Sequence, residues 1–376
     1  MPWKERSTMS LRQEFLQLAS QPGANFSQLC ARFGVSRKTG YKWRQRYKES
    51  GAAGLQERSR RPQHTPRRSN QTIEQGVLAV RDQYGWGARK IKACLAQTKR
   101  TVVARSTVQA ILQRHGRVVP AAPRSRGAYQ RFEQERPNQL WQMDFKGHYA
   151  LANSERCHPL TVLDDHSRYS LCLQACRNER TDTVQQQLTA TFRRYGLPER
   201  MLMDNGSPWG GAVDHGYTPL TVWLLRLGVA VSHSRPFHPQ TQGKDERFHR
   251  SLKVEVLAQR LYADFVSMQR RFDEWRHCYN HLRPHEALQL AVPASRYQPS
   301  PRSFPEQLPA FDYDLLDQVR KVQATGKISF AGRHFRIGRP FQGYPVALRP
   351  TLSDGLYEVF FATHKIGTID LQQPSD

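Results

Sequence analysis

Between about residues 138 and 300, short strand-like runs alternate with helical ones, and two of the strand-like runs lead into an aspartate. The strand-like runs are Leu140–Tyr149, Leu160–Leu163, Arg168–Ala175, Arg200–Met203 and Val229–Ser232. The helical ones are Asp182–Tyr195, Leu220–Leu227, Gln242–Leu257 and Ala263–Leu282. Such alternation predicts helices layered on a sheet. Asp144, in Trp141-Gln-Met-Asp144-Phe-Lys-Gly147, and Asp204, in Met201-Leu-Met-Asp204-Asn-Gly206, each close an apolar run. Adjacent strands would bring these carboxylates side by side, which is costly unless a cation lies between them. A third acid, Glu246, lies where the loop His238-Pro-Gln-Thr-Gln-Gly turns into a helix. Three hard oxygen donors from different elements can hold two magnesium ions. Two such ions suit in-line displacement at a phosphodiester. A single strand-end Asp is more often a turn former, so the weight rests on the set and its order.

The charge of the chain agrees with a polyanionic partner. Lys and Arg number 57 against 32 acids, a formal net charge of +25 over 376 residues. Residues 1–135 hold 27 basic and 8 acidic side chains, so that third carries +19 of the total. Such asymmetry favours nucleic acid. An anionic membrane surface is disfavoured, because neither a long basic amphipathic helix nor a lipidation motif is present. No segment reaches about 18 consecutive apolar residues, and Met1-Pro-Trp-Lys-Glu-Arg lacks the apolar centre of a signal peptide. The expectation is a cytoplasmic, nucleoid-associated protein. The six cysteines (Cys30, Cys94, Cys157, Cys172, Cys176, Cys278) have no paired C-x-x-C spacing and read as free thiols.

The basic third reads as two helical units joined by linkers. Leu11, Phe15, Leu16 and Ala19 give a first helix its apolar face. Ser27 is a candidate cap for a second helix, and Ser36 for a third that opens Arg37-Lys-Thr-Gly-Tyr-Lys-Trp-Arg. Helix, glycine turn and basic helix make the helix-turn-helix pattern. Arg37, Lys38, Lys42, Trp43 and Arg44 are its candidate DNA contacts. Residues 51–70 form a basic linker whose Arg58, Arg60 and Arg61 could track phosphates or enter a minor groove. A merely flexible tether is the plainer alternative. Residues 71–117 repeat the helical plan, with Arg89 and Lys90 on the middle helix and Ser106 as a candidate cap for the last. Another basic linker, 118–137, precedes the α/β region. After 311, short alternating segments with Gly and Pro breaks predict a small β-barrel. The expected organisation is thus 1–50, 71–117, 138–300 and 311–376 as folded domains. In class terms the chain is multidomain, with all-α units first, an α/β core, and a small β domain last.

The α/β region resembles the catalytic core of the DDE transposase and retroviral-integrase superfamily. It is most similar to bacterial insertion-sequence transposases. The residues that carry the resemblance are Trp141-Gln-Met-Asp144, Leu163-Asp-Asp-His-Ser-Arg-Tyr169, Asp204-Asn-Gly-Ser, the run from Ser234 through Glu246 to His249, and Tyr279-Asn-His-Leu-Arg-Pro-His285-Glu-Ala-Leu. The step of 42 from Asp204 to Glu246 exceeds the retroviral interval, as if residues were inserted around Trp209–Pro219. The resemblance implies a ribonuclease H-like fold and Asp144, Asp204 and Glu246 as the ligands of two Mg2+ ions, with Mn2+ able to substitute. It also implies 3′-end cleavage and strand transfer on double-stranded DNA, both the terminal inverted repeats and the target. Synapsis of two ends implies a homo-oligomer, a dimer or larger. Two other readings stay open: a DNA-binding regulator with an inactive core, and a nuclease that cuts without joining.

The remaining polar residues have plainer readings. Asp164 and Asp165 suit turn and hydrogen-bond structure. His277, Cys278, His281 and His285 are a cluster that could suggest zinc, but a structural or DNA-facing role fits the surrounding motif better. His238 and His249 flank the third acid and could touch phosphate or water. Asp245 and Glu246 are adjacent, and helical phase separates them. Glu246 shares a side with Arg250 and Lys253, while Asp245 falls toward Phe248, Leu252 and Val256. Lys244, Arg250 and Lys253 join the candidate DNA contacts.

Overall fold

The computed structural model describes residues 7–58, 68–118, 133–210, 216–233 and 243–373. The chain divides into two compact units, Met1–Arg68 and Ser69–Asp376.

The first unit holds three helices: α1 (Thr8–Ala19), α2 (Phe26–Arg32) and α3 (Arg37–Ser50). Ser36 caps α3 by accepting from the Thr39 amide at 3.2 Å. The cap of α2 is Asn25 rather than Ser27, because the Asn25 carboxamide accepts from the amides of both Ser27 and Gln28. Phe15, Leu16, Cys30, Trp43 and Leu55 form the core. Gly40 sits mid-helix at some cost in helix propensity. The reason is close packing, since a Cβ there would stand 2.7 Å from the Cys30 sulfur and 3.1 Å from Phe15.

The second unit opens with α4 (Gln71–Tyr84), α5 (Ala88–Lys99) and α6 (Arg105–Arg114). Val77, Ile91, Leu95, Val108, Ile111 and Leu112 fill the space between them. Helix α6 starts at Arg105 with Ala104 at its cap position, so Ser106 lies inside the helix and caps nothing.

The α/β region follows. Its strands are β1 (Leu140–Phe145), β2 (Tyr149–Ala150), β3 (Arg156–Asp164), β4 (Ser170–Cys176), β5 (Arg200–Met203) and β6 (Ala230–His233). They form one mixed sheet in the order β4-β3-β1-β5-β6, with the short β2 also on β3. β1 is antiparallel to β3 and parallel to β5, which is parallel to β6. Helices α7 (Thr181–Tyr195) and α8 (Pro219–Arg226) cover one face. Helices α9 (Gly243–Leu252) and α10 (Phe265–His281) cover the other. β3 shows the strand period directly. Leu160 and Val162 pack with Val184, Leu188 and Phe192 of α7, and Leu163 packs with Phe248 of α9 and Phe272 of α10. The run read as one helix from Gln242 widens after α9 into a π turn, Lys253–Leu257, closed by the Ala258 amide bonding the Lys253 carbonyl.

The last region has β7 (Gln318–Lys321), β8 (Lys327–Phe330), β9 (Arg333–Arg336), β10 (Pro345–Pro350), β11 (Leu356–Phe361) and β12 (His364–Asp370). These form a four-stranded antiparallel sheet, β12-β11-β10-β7, and a separate β8-β9 hairpin. Short alternating strands were expected to close into a barrel. Among the described residues the ladder runs out at β7 and β12, so the sheet is open. Its apolar face shares a core with Val222 and Leu225 of α8. No helix among the described residues is long and apolar enough to cross a membrane.

Candidate active site

Parallel pairing of β1 with β5 explains how two acids distant in sequence meet. Gln142 lies opposite Leu202 in that ladder, so the strands run out together at Asp144 and just past Met203 at Asp204. Burial pushes the Asp144 carboxyl up to about 7, and the charge of Asp204 adds to the shift. The loop after β5 then folds back over the pair. Asp204 accepts from the Gly206 amide at 2.9 Å and from the Trp209 indole N–H. The Trp209 ring stacks on Phe145 at 5.3 Å. A Cβ at Gly206 would stand 3.2 Å from the Asp204 carboxylate, a tight contact to which the carboxylate would have to yield by a few tenths of an ångström. His233, at the end of β6, donates from Nδ1 to the Asp204 carbonyl at 2.8 Å.

Helix α9 lies over this edge and presents its two acids in opposite ways. Asp245 is 1% exposed, whereas Glu246 faces outward with Arg250 and Lys253, all exposed. The inward face also carries His249. Its Nε2 is 2.8 Å from the Thr161 hydroxyl and its Nδ1 is 3.7 Å from the Asp144 carboxylate. Thr161 also hydrogen-bonds the Asp144 carbonyl at 2.9 Å and approaches Asp245 at 3.4 Å. Donor atoms of Asp144, Asp245 and His249 all lie within 4.8 Å of one another, and Glu246 is not in that group. One Asp245 oxygen is buried with no hydrogen-bond partner. Burial raises the Asp245 carboxyl well above the usual range, with Asp144 adding to the effect. Burial lowers His249 to about 3, with Lys146 adding, which keeps the ring neutral.

Several expected DNA contacts sit elsewhere. Trp43 is only 5% exposed and belongs to the core of the first unit, with the Arg12 guanidinium 3.7 Å over its ring. An aromatic among basic residues reads the same in sequence whether it faces inward or outward. Arg37, Lys38, Lys42 and Arg44 of that helix, and Arg58 beyond it, are exposed. Arg60, Arg61 and His238 lie outside the described residues. Lys244 is drawn inward to form an ion pair with the wholly buried Asp165. Asp165 also accepts from the Gln142 carboxamide at 2.8 Å and the Gln134 amide at 2.9 Å, so the lysine is one of three partners inside the protein. Lys90 is half-buried against the α/β region, where burial lowers its ammonium to about 8; Arg283 adds to the shift and Glu255 opposes it. Arg89 remains exposed and lies 4.0 Å from Glu286.

Asp164 fills a structural role, accepting from the amides of Ser167 at 2.7 Å and Asn138 at 2.8 Å. Among the described residues, no metal-ligating group gathers around 277–285. His285 is buried against the edge of Tyr279. All six cysteines are free. Sequence reasoning missed Thr161 and Trp209. The available signal for Thr161 was a lone hydroxyl inside the apolar run Leu160-Thr-Val-Leu163; for Trp209 it was an aromatic five residues past a strand-end acid.

Comparisons with known proteins match successive parts of the chain. Two models described as integrase core domain match residues 134–239 and 227–293. Two homeodomain-like domain models match 6–56 and 39–112, and the model for the C-terminal domain of IS481 family transposases matches 317–376. An insertion element IS476 protein of Xanthomonas euvesicatoria is 28% identical over 160 residues, 42% of this chain and 44% of that protein. An insertion element IS407 protein of Burkholderia multivorans is 25% identical over 158 residues, 42% of this chain and 54% of that one. The chain thus spans about half the length of these relatives. Among solved structures, a chain of the simian T-cell lymphotropic virus intasome in complex with the PP2A regulatory subunit B56 gamma aligns with a TM-score of 0.40 at 14% identity, covering 78% of this chain and 95% of that one. The class is therefore a protein with an integrase core behind homeodomain-like helical domains. Within it, the chain is similar to insertion-element proteins, and its last 60 residues match the C-terminal domain of IS481 family transposases.

Proposed function

We propose that the protein binds the terminal inverted repeats of a mobile DNA element, cleaves at their 3′ ends and joins those ends to target DNA. The observation that carries this reading is the Asp144–Asp204 pair on two parallel strands, with Asp144 raised to about 7 beside its neighbour. Two carboxylates in that relation fit a divalent cation, which would remove their repulsion. Asp144, Asp204 and Glu246 would hold it. When bound, two Mg2+ ions, or Mn2+ in their place, supply the positive charge that developing oxyanions at phosphorus require.

The chain's own groups do the rest. Gly206 and Trp209 fix the Asp204 carboxylate by donating to it. Glu246 is the outward acid of α9, and Arg250 and Lys253 beside it offer phosphate contacts. Arg37, Lys38, Lys42 and Arg44 on α3 suit groove and backbone contacts. We treat 1–50 and 71–117 as the DNA-reading domains, 51–70 and 118–137 as basic linkers, 138–300 as the catalytic core, and 311–376 as a small β domain that helps hold DNA or a neighbouring protomer. Two ends must be cut in concert, so the working form is a dimer or larger.

The test is an assay of labelled end DNA and target DNA with the full chain in Mg2+. Cleaved and joined products that vanish in excess chelator support the reading. Products cut but never joined would leave a nuclease, and end-specific binding without any cutting would leave a regulator. A fragment 1–135 is expected to prefer end DNA over random DNA at moderate salt, with affinity falling steeply as salt rises.

A further inference from the structure

We propose that His249 is a positioning residue for Asp144, held from behind by Thr161, and that this strut sets how well the carboxylate site takes a divalent cation. The inference rests on the reading of Asp144 as a metal ligand. Thr161 lies on β3 directly opposite Asp144 on β1. Its hydroxyl is fully buried and lies 2.9 Å from the Asp144 carbonyl and 2.8 Å from His249 Nε2. A hydroxyl has one proton to give. If that proton goes to the carbonyl, the Nε2–H of His249 donates to the Thr161 oxygen. Nδ1 then keeps its lone pair, on the side that faces the Asp144 carboxylate at 3.7 Å.

A second group approaches the Nε2 edge of the ring. Asp245, one helical turn earlier, brings a carboxylate oxygen to 3.7 Å from Nε2. The neighbouring Phe248 is locked edge-on between Trp275 at 5.3 Å and Tyr279 at 4.8 Å, which fixes the rotation of α9. His249 therefore cannot turn outward to meet phosphate without giving up its bond to the Thr161 hydroxyl and its buried place beside Asp144. What it does instead is bound the space open to the Asp144 side chain. Groups of this kind, one shell behind a ligand, commonly change metal affinity about 10–100-fold when removed.

Mn2+ alone is the probe, titrated into the full chain and followed by the loss of the free-ion paramagnetic resonance signal. Wild type is compared with Asp144→Asn, His249→Phe, His249→Gln and Thr161→Val. His249→Phe and Thr161→Val are expected to weaken Mn2+ binding about tenfold or more, with the chain still folding cooperatively and affinity for end DNA little changed. His249→Gln, which can still reach the Thr161 hydroxyl, should recover most of the loss; a merely space-filling role would not distinguish Gln from Phe in this way. Mn2+ affinity within twofold of wild type in both His249→Phe and Thr161→Val overturns the proposal. If His249→Phe does not fold, the near-isosteric Thr161→Val decides alone. Unchanged binding in Asp144→Asn would remove the metal reading and this inference with it. Wild type that binds Mn2+ through Asp144 yet processes no DNA would sink the proposed activity and leave the strut standing.

Discussion

Asp245 and Glu246 are neighbours in the chain and opposites in environment. Asp245 is sealed among Thr161, His249 and Asp144, and burial raises its carboxyl well above the usual range, with Asp144 adding to the effect. Asparagine keeps the shape of this inward side chain and brings no charge for burial to penalise, so Asp245→Asn should retain most cleavage and joining. Glu246→Gln keeps the shape but removes an outward charge, and should lower both steps by more than about 100-fold, beyond the usual cost of losing an indirect partner. End-DNA binding should stay near normal in both. Single-turnover assays on labelled ends check this, and the reverse ranking would mean that the ligand assignment is wrong. At this scale the helix period was enough to separate the two acids, because the apolar stripe of Phe248 and Leu252 is unambiguous. It was not enough for Trp43 or Lys244. Which way a lone aromatic or lysine turns is decided by partners far along the chain, here Arg12 and Asp165.

Helix α9 is held in place at its start by the ion pair of Lys244 with Asp165, and Asp165 lies where β3 ends. Removing one member of a buried pair leaves the other charge without compensation. Lys244→Met should therefore cost about 3–5 kcal/mol of stability, measurable by urea denaturation. The double variant with Asp165→Leu should recover part of that loss, since it removes both charges. A single variant as stable as wild type would mean that Asp165 is neutral or otherwise satisfied. The strands β1 and β5 were legible as elements because each is an apolar run closed by an acid. Their adjacency was not, since parallel pairing is settled by the crossover through α7 and by the packing of Trp141, Met143 and Met201 against that helix's layer. The terminal strands were legible for the same reason, but sheet closure was not. Short alternating segments specify faces, and nothing in them says whether β7 and β12 meet.

At the scale of the second unit, α5 rests on the α/β region through charged side chains. Lys90 faces Arg283, Glu255, Glu286 and Arg247, and burial lowers its ammonium from the usual 10.5 to about 8. Between those two values the unfolded chain binds a proton that the folded chain does not, so stability contributed at this site rises with pH. Below about 8 both states are charged and the burial penalty is felt in full. The unfolding midpoint of wild type should thus gain on that of Lys90→Met as pH goes from 8 toward 10. A parallel pair of curves would show that Lys90 is solvated. Arg283 ties the same place to the core, bonding Glu255 at 2.8 Å, and Trp275 donates to Glu255 at 2.9 Å. Glu255 belongs to the π turn that continues α9, the helix whose first turn carries Glu246. The run from Gly243 to Leu257 is thus one continuous helical path. One end is gripped where α5 leans on the core, and the other carries the outward acid. On the proposed DNA-reading role of residues 71–117, a DNA end that draws on α5 would act at one end of the same helical run whose other end carries Glu246.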